Sequence, residues 1–444
     1  MRIHLISIGG AVMHNLALEL QRNGHHVTGS DDEVFEPSRS RLEKAGLLPL
    51  EMGWDPKRIT SDIDIIILGM HARIDNPELL KAQELGLTIQ SFPEFVAGQS
   101  KNKTRVVVAG SHGKTSTTAM IMHVLNKRNI DFDYLVGSKL EGFELMVKLS
   151  DAPLIILEGD EYLSSPIDRR PKFIWYEPQI AIITGVAWDH INVFPTFDNY
   201  CEQFEHFSTT ITSDGSLIYY KNDEVLRSIA SKASNVNAIG YDYLEHEIVN
   251  GQVVVSHQGE DFPMRVFGKH NLENMNAAIL ACNQLGIDQV DSLKALQDFS
   301  GTAKRLEKVY DVDDVLVYRD FAHSPSKVGA TVSAVKDTYK AHTVVAVMEL
   351  HTFSSLNADF LPLYKDTMKA ADHAYVYFNT HVFEMKRMEP LDTAEVKKNF
   401  GNVEVLTDST SLWQRLKQLH RPKTVFLMMS SGNFNGEDVS DITS

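Results

Sequence analysis

The stretch VVVAGSHGKTSTTAM, residues 106–120, passes from small apolar residues into a turn bounded by two glycines and then into a segment typical of a helix. The standard phosphate loop has the pattern G-x-x-x-x-G-K-[ST], in which backbone N–H groups at a helix N-terminus cradle the anion, the lysine reaches the outer phosphates and the hydroxyl binds Mg²⁺. Here Val108 stands five positions before Gly113, so the turn is two residues shorter and runs from Gly110 to Thr115. The stretch predicts a shortened phosphate loop.

The residues on either side of this loop fit a buried strand followed by a helix. Val106–Ala109 is a largely β-branched run of the kind that forms buried parallel strands, and Thr115–Lys127 places four apolar side chains on one helical face. An ordinary glycine turn is the alternative, but it gives no reason for a lysine and a threonine at the helix start. We therefore predict a nucleotide site formed by Gly110, Ser111, Gly113, Lys114, Thr115 and Ser116.

Composition limits the classes of function. The 444 residues are too many for one core and predict two to four domains. With 43% hydrophobic and 23% charged residues, the chain has the composition of a soluble globular protein. The formal net charge of −16 argues against a nucleic-acid partner, because such binding needs a basic stripe that releases phosphate counterions. An anionic substrate would have to be held by local devices such as Mg²⁺, helix N-termini and a few cationic side chains.

The sequence also bears on the compartment. Cys201 and Cys282 are the only cysteines, so neither a disulfide framework nor a cysteine-rich zinc site is possible. The N-terminus reads as a first strand without a secretory cleavage pattern. Nowhere do 18 apolar residues run together, which predicts no membrane span. We expect a cytoplasmic protein.

The first hundred residues alternate apolar strands and amphipathic helices, which predicts a parallel, Rossmann-like unit. Gly9–Gly10 opens its first helix, but the dinucleotide fingerprint G-x-G-x-x-G is missing. The second strand ends at Ser30–Asp31, where a polar residue in such units commonly meets a ribose or a base; a capped loop is the equal alternative. The polar stretch 98–104 is interpreted as a linker.

A second α/β pattern follows the linker, and a third begins near Gly301. In the second, LIILEGD, KFIWYE and QIAIITGV are predicted strands, GQVVVSH and FPMRVFG a probable antiparallel ribbon. In the third, residues 306–323 are predicted to form a hairpin, followed by helices and the strands TVVAVMEL, AYVYF and TVFLMMS.

Acidic and imidazole side chains follow two of these strands. Glu158, Asp160 and Glu161 stand just past one strand, and Asp189–His190 past another. Because parallel sheets hold ligands at the carboxyl ends of their strands, this set suits a divalent cation that bridges ATP phosphates, with Thr115 adding a hydroxyl oxygen. Each residue alone is as well explained as a loop cap.

Three further groups carry weaker signals. Asn271 and Asn274 lie one helical turn apart and present the donor and acceptor that adenine requires. Arg305 suits a phosphate and Asp320 a ribose, with His323 close behind.

Taken in order, AGSHGKTST, LEGDEY, AWDH, GKHNLENMNAA, KRLE and RDFAHSP resemble the Mur ligase family over essentially the whole chain, and the Gly-Gly-containing first unit resembles members that act on UDP-N-acetylmuramate. The resemblance implies an α/β protein of three domains: a Rossmann-like UDP-binding unit at 1–100, a central ATP-binding domain at 101–300 and a Rossmann-like C-terminal domain at 301–444. The short phosphate loop is the family's own.

The resemblance also implies roles for individual residues. Lys114 falls at the position that contacts the β- and γ-phosphates, Thr115 and Glu158 at one Mg²⁺, and His190 at a second metal ion. Asn271 and Asn274 fall at the adenine, Arg305 at a phosphate, Asp320 at the ribose, and His323 faces the incoming amine. The implied UDP contacts are Gly9, Gly10, Ser30, Asp31 and His71.

Three positions depart from the family pattern. Where some members carry a carbamylated lysine this chain has Glu205, so a native carboxylate could replace the carbamate. Gly185 replaces a usual asparagine and His351 a usual arginine.

The amine substrate is open between two branches that share this first unit. One joins L-alanine to UDP-N-acetylmuramate, and the other attaches an L-alanyl-γ-D-glutamyl-diaminopimelate tripeptide. LEGDEYLSSPIDRRPKFIWYEP and MMSSGNFNG look closer to the second branch. Outside the family, a metabolite kinase would share Lys114, Thr115 and Glu158 but has no use for a UDP unit, and a dehydrogenase would need the missing glycine fingerprint.

Overall fold

A computed structural model describes residues 1–188, 193–249, 252–302 and 305–443. The chain divides into two compact units. The first consists of residues 1–242 and 274–296, and the second of 243–273 and 297–444. Each unit is built on parallel strands covered by helices, which confirms the predicted α/β class.

The first unit opens with a four-stranded parallel sheet of order β2-β1-β3-β4. Its elements are β1 (Arg2–Ile6), α1 (Ala11–Arg22), β2 (His26–Ser30), α2 (Ser38–Lys44), a 3₁₀ turn (Pro56–Arg58), β3 (Ile65–Leu68), α3 (Pro77–Glu84), β4 (Thr88–Ser91) and α4 (Phe92–Gln99). β1 and β3 are almost wholly buried, as expected for the central strands of a parallel sheet.

A seven-stranded sheet follows in the same unit, with order β11-β10-β9-β5-β8-β6-β7. Only β7 among these described strands runs antiparallel to its neighbour. The elements are β5 (Thr104–Ala109), α5 (Lys114–Lys127), β6 (Asp133–Leu135), β7 (Val147–Lys148), β8 (Leu154–Glu158), a 3₁₀ turn (Lys172–Trp175), β9 (Ile180–Ile183), α6 (Phe197–Thr209), β10 (Ser216–Tyr220), α7 (Glu224–Lys232) and β11 (Asn237–Tyr241).

The apolar run that precedes the phosphate loop is the middle strand of this sheet. β5 lies between β8 and β9, and its residues Val106–Ala109 are fully buried. The loops after these three adjacent parallel strands therefore begin at one edge of the sheet, where parallel sheets hold their ligands. That edge gathers Gly110, Glu158 and Thr184.

Side chains of helix α1, spaced four residues apart, form hydrogen bonds with the backbone on either side of β7, the last strand of the seven-stranded sheet. Asn15 accepts a hydrogen bond from the N–H of Met146 (3.1 Å), and Glu19 accepts one from the N–H of Leu149 (2.8 Å). Asn23 donates to the carbonyl of Leu149 (2.7 Å). These side chains satisfy backbone groups that an edge strand otherwise leaves open.

The second unit contains an antiparallel ribbon and a six-stranded sheet. The ribbon comprises β12 (Glu247–Val249), β13 (Gln252–His257) and β14 (Glu260–Met264), as predicted. Helix α8 (Lys269–Gln284) begins in this unit and ends in the first, where α9 (Gln289–Leu296) follows.

The six-stranded sheet has order β15-β16-β20-β17-β18-β19 and is parallel except for the predicted β15–β16 hairpin. Its elements are β15 (Glu307–Val312), β16 (Val315–Asp320), α10 (Pro325–Thr338), β17 (Thr343–Glu349), a 3₁₀ segment (Ala358–Tyr364), β18 (His373–Tyr377), α11 (His381–Lys386), α12 (Thr393–Phe400), β19 (Glu404–Leu406), α13 (Ser409–Gln418), β20 (Thr424–Met429) and 3₁₀ turns at Phe434–Gly436 and Val439–Thr443.

Two local predictions were wrong. KFIWYE is not a strand but contains the 3₁₀ turn Lys172–Trp175, in which Lys172 pairs with Asp160 at 2.5 Å. The predicted linker 98–104 is partly helical, because α4 ends only at Gln99 and β5 already begins at Thr104. No helix in the described ranges has the length and apolar character needed to cross a membrane.

Candidate active site

The phosphate loop has the geometry of an anion site. Gly113 has a φ of +79°, in the left-handed region, and a Cβ at this position would collide with the side-chain oxygen of Asn274. Among the described residues no side chain caps the N-terminus of α5, which starts at Lys114. Its first N–H groups and the positive end of the helix dipole are therefore directed at the turn, as phosphate binding requires.

Lys114 is held at this turn by two oxygens. Its ammonium group donates to the carbonyl of Gly110 (2.6 Å) and to Glu161 Oε2 (2.6 Å). Burial alone would lower the pKa of Lys114, but the carboxylates of Glu161, Asp160 and Glu158 outweigh it and raise the pKa. The lysine is thus kept as a cation inside the protein.

Thr115 and Glu158, the two predicted metal ligands within the described chain, lie side by side. The Thr115 hydroxyl donates to Glu158 Oε1 (2.9 Å), and the N–H of Gly137 donates to Glu158 Oε2 (2.9 Å). Burial raises the pKa of Glu158, and a bound cation would offset that cost. Hydroxyl and carboxylate oxygens are the ligands that Mg²⁺ prefers, so this pair fits the ion.

The predicted second metal ligand, His190, lies outside the described residues together with Asp189. Within the ranges that the structure describes, no three His, Cys, Asp or Glu side chains form a metal cluster by themselves. The fit to Mg²⁺ therefore rests on the Thr115–Glu158 pair.

Ser111 connects the phosphate loop to neighbouring segments through hydrogen bonds. Its N–H donates to the carbonyl of Gly185 (2.9 Å), while its hydroxyl contacts the hydroxyl of Tyr200 (2.9 Å) and accepts the N–H of Ala187 (2.8 Å). Its assignment as a direct ATP contact remains a prediction, as does that of the buried Ser116.

The structure gives a steric reason for one departure from the family pattern, Gly185, and places a second, Glu205, whose role at the metal site remains a prediction. A Cβ at Gly185 would come within 2.6 Å of the ring of His112, so the imidazole fills the space that a side chain would need. Glu205, which the sequence suggested as a replacement for a carbamylated lysine, is half-exposed on α6 and pairs with Lys232 at 2.8 Å. Tyr200, five residues earlier in the same helix, contacts the loop instead.

The N-terminal sheet brings most of the predicted UDP residues together. The N–H of Gly9 donates to Asp31 Oδ2 (2.7 Å), and the hydroxyl of Ser30 donates to the buried Glu78. No side chain in the described chain caps the N-terminus of α1, which begins directly after Gly10. His71 is exposed in the loop that follows β3.

In the second unit, Asn271 and Asp320, which are predicted to contact ATP, form hydrogen bonds with the protein backbone. Asn271 donates to the carbonyl of Phe267 (2.8 Å). Asp320 accepts the N–H groups of Leu306 and Ala322, each at 2.6 Å, so its carboxylate orders the chain on both sides of β16. Burial raises the pKa of Asp320 despite the nearby Arg305.

Two further predicted residues of this unit flank Phe321. The guanidinium of Arg305 lies 4.9 Å from the centroid of the Phe321 ring, a cation–π contact. His323 Nδ1 contacts the carbonyl of Phe321 at 2.8 Å, and Tyr364 donates to the carbonyl of His323.

The segment with the departure at His351 meets the SSGNFNG segment in this unit. Glu349 accepts hydrogen bonds from the hydroxyl of Ser430 and the N–H of Phe434 (3.0 Å). A Cβ at Gly432 would come within 2.8 Å of the His351 ring. MELH and SSGNFNG thus pack against each other.

Comparison with known proteins identifies the same parts in the same order. Residues 2–104 match a model described as Mur ligase family, catalytic domain; residues 108–282 match the Mur ligase middle domain; and residues 304–432 match the Mur ligase, glutamate ligase domain.

Individual relatives extend over most of the chain. A UDP-N-acetylmuramate–L-alanyl-γ-D-glutamyl-meso-2,6-diaminoheptandioate ligase from Haemophilus influenzae is 30% identical over 358 residues, which are 78% of this chain and 79% of the relative. A UDP-N-acetylmuramate–L-alanine ligase from Streptococcus suis is 29% identical over 453 residues, 98% of this chain and 96% of the relative. The crystal structure of a murein peptide ligase from Psychrobacter arcticus matches with a TM-score of 0.66 at 25% identity, covering 100% of this chain and 99% of that one. The chain belongs to the Mur ligase family and is an ATP-dependent ligase.

Proposed function

We propose that this ligase joins the carboxylate of UDP-N-acetylmuramate to the amine of L-alanyl-γ-D-glutamyl-diaminopimelate in peptidoglycan recycling. The observation that carries the ATP chemistry is the buried cluster at the phosphate loop, where Glu161 holds Lys114 and Glu158 holds Thr115. The tripeptide is favoured by the EGDEYLSSPIDRR and SSGNFNG segments, which resemble the peptide-adding branch.

A carboxylate and an amine do not condense at neutral pH, because the carboxylate has no adequate leaving group and the amine is mostly protonated. In the proposed reaction, the muramyl carboxylate oxygen attacks the γ-phosphorus of ATP and the bond to ADP breaks. The amine then attacks the carbonyl carbon of the acyl phosphate, and inorganic phosphate leaves. Lys114 stabilises negative charge on the transferring phosphoryl group from a fixed, buried position.

The remaining roles are proposed as the family resemblance implies. Thr115 and Glu158 would hold Mg²⁺, which supplies neutralising charge to the phosphates, and His190 would serve a second ion. Asn271 and Asn274 are proposed for adenine, Asp320 for ribose, Arg305 for a phosphate and His323 for the face of the incoming amine. Gly9, Gly10, Ser30, Asp31 and His71 are proposed for the UDP moiety, with domain boundaries near residues 100 and 300.

The available cations near the segments that resemble the peptide-adding branch are Arg169, Arg170, Lys172 and His351, and they differ in the partners that they already have. Arg170 pairs with Asp168 at 2.9 Å and stacks on Trp175 at 4.1 Å, and Lys172 pairs with Asp160. Arg169 is exposed and makes no ion pair with any residue that the structure describes. Arg169 is therefore the cation of this segment best placed to meet a substrate carboxylate.

L-Alanine is the second candidate amine, since a relative named for that substrate matches 98% of the chain. The test is phosphate release from ATP with UDP-N-acetylmuramate and each amine in turn. We expect kcat/KM for the tripeptide to exceed that for L-alanine by well over tenfold, which corresponds to more than about 1.4 kcal/mol in transition-state binding. A preference for L-alanine would assign the chain to the amino-acid-adding branch and leave the ATP chemistry unchanged. A phosphoester product without amide would support the more remote kinase alternative.

A further inference from the structure

The hydroxyl of Tyr200 is a buried polar group that the proposed chemistry does not use. Tyr200 lies on α6 and is completely buried, packed against Phe194 and Phe204 with ring centroids 5.5 and 5.2 Å apart. These aromatic contacts explain why the ring is buried, but they give no role to the hydroxyl. Nor does the phosphate-loop motif include it, because 89 residues separate it from Ser111.

The hydrogen bonds around this hydroxyl have a fixed direction. Tyr200 donates its phenolic hydrogen to Glu161 Oε1 at 2.8 Å. Ser111 must then donate to the oxygen of Tyr200, at 2.9 Å, while it accepts the N–H of Ala187 at 2.8 Å. The other oxygen of Glu161 accepts from Lys114 at 2.6 Å.

These bonds form one continuous chain from Ala187 through Ser111, Tyr200 and Glu161 to Lys114. Ser111, Tyr200 and Glu161 are 7%, 0% and 1% exposed, so water does not compete for them. In such surroundings each hydrogen bond polarises the next, and a misplaced buried carboxylate is costly. The geometry of Glu161, and through it that of Lys114, therefore depends on the tyrosine hydroxyl.

We propose that Tyr200 is a positioning residue for phosphoryl transfer: its hydroxyl orients Glu161, which in turn holds the Lys114 ammonium group at the phosphate loop. This inference rests on the proposed role of Lys114. Tyr200 contacts no reacting atom in it and acts only through Glu161. Its second link, through Ser111 to Ala187, ties the lysine to the segment that leads into Asp189–His190.

The test is Tyr200→Phe in the full chain, which removes one oxygen and keeps the aromatic packing. Tyr134→Phe is the matched control, because Tyr134 is another buried tyrosine in the same unit, packed against Phe132 and Phe143. We expect Tyr200→Phe to lower kcat at least tenfold with a smaller change in KM for MgATP, while the control stays within twofold of the wild type. A kcat for Tyr200→Phe within twofold of the wild type would overturn the proposal.

A double-mutant cycle separates positioning from general stability. If Tyr200 acts through Glu161, adding Tyr200→Phe to Glu161→Gln should lower kcat by less than twofold further. Independent, multiplying losses would contradict the pathway through Glu161.

A second measurement does not depend on turnover, so its result can be distinguished from the test of the proposed function. Competitive amine labelling of the folded protein, followed by peptide mapping, should show Lys114 labelled severalfold faster in Tyr200→Phe than in the wild type. Unchanged labelling would count against the positioning role. Failure of both amines to support wild-type turnover would instead overturn the proposed function and leave the labelling result standing.

Discussion

Lys114, which we propose for phosphoryl transfer, is held as a buried cation by the protein itself. Three carboxylates, those of Glu158, Asp160 and Glu161, act on it, and they raise its pKa although burial opposes them. The charge is therefore fixed in a site from which water is largely excluded, where it stabilises developing negative charge more effectively than in water.

Replacement of Lys114 by alanine should lower turnover by orders of magnitude, because the change removes transition-state stabilisation. It also leaves the buried carboxylate of Glu161 without its cation, so the variant should be less stable than the wild type. Initial rates of phosphate release and circular dichroism would measure the two effects. Lys101→Ala, an exposed lysine of the same unit, is the control. Near-normal ATP turnover in a folded Lys114→Ala protein would refute the assigned role.

Asp31 should make stability depend on pH. Burial raises the pKa of Asp31 from 3.8 to about 6, so the folded state binds this proton more tightly than the unfolded chain does. Its contribution to stability is therefore present at low pH and is lost as the pH rises from about 4 to about 6. Asp31→Asn keeps an acceptor for the N–H of Gly9 and removes the titration.

Between pH 4 and pH 7, the free energy of unfolding of Asp31→Asn should therefore rise relative to that of the wild type. The rise should be up to about 3 kcal/mol. Urea unfolding at several pH values measures it, and contributions of groups that do not interact with Asp31 cancel in the difference. A difference that stays constant with pH would show that Asp31 titrates alike in both states.

At the scale of single residues, the sequence does not reveal a functional residue whose partners lie far away along the chain. That Lys114, Thr115 and Glu158 lie close together could be predicted, because each belongs to a short pattern that follows a strand of the same sheet; their roles stay predictions. Tyr200 could not, since its partners Ser111 and Glu161 are 89 and 39 residues away and a tyrosine in an amphipathic helix carries no special signal.

At the scale of elements, periodicity predicted most strands and helices but failed where a segment was short. KFIWYE has a strand's composition, yet Lys172–Trp175 forms a 3₁₀ turn, because Asp168 and Asp160 bind the side chains of Trp175 and Lys172. Helix α4 was not predicted, although the Ser91–Glu94 capping box with a proline between is a readable signal of a helix start.

Helix α1 should stabilise the edge of the seven-stranded sheet through its side chains. Asn15→Ala removes the acceptor of the Met146 N–H, and leaving a buried N–H without a partner costs about 1–3 kcal/mol. We expect faster hydrogen exchange at Met146 and unchanged protection in β5. Gln21→Ala, on the exposed side of the same helix, should leave both unchanged. Equal exchange in the two variants would show that α1 does not support this edge.

At the scale of the whole molecule, the α/β class and the order of functional segments followed from the sequence, because each strand ends in its own recognisable motif. The order β15-β16-β20-β17-β18-β19 did not, since the position of β20 in the middle of its sheet depends on packing between segments far apart in the chain. Net charge is the other global property that sequence alone provides.

The net charge of −16 should set the sign of the salt dependence. The proposed substrate, UDP-N-acetylmuramate, is anionic, so the overall field would oppose its approach, whereas the local contacts proposed to hold it would act only at short range. Raising the ionic strength from about 0.01 M to about 0.15 M shortens the Debye length from about 30 Å to about 8 Å and screens the repulsion first. At constant Mg²⁺ and saturating ATP, kcat/KM for UDP-N-acetylmuramate should therefore rise severalfold with added KCl.

Tetramethylammonium chloride should produce the same rise, which separates screening from a specific effect of K⁺. A fall with both salts would mean that a local positive field around the UDP site outweighs the charge of the molecule as a whole.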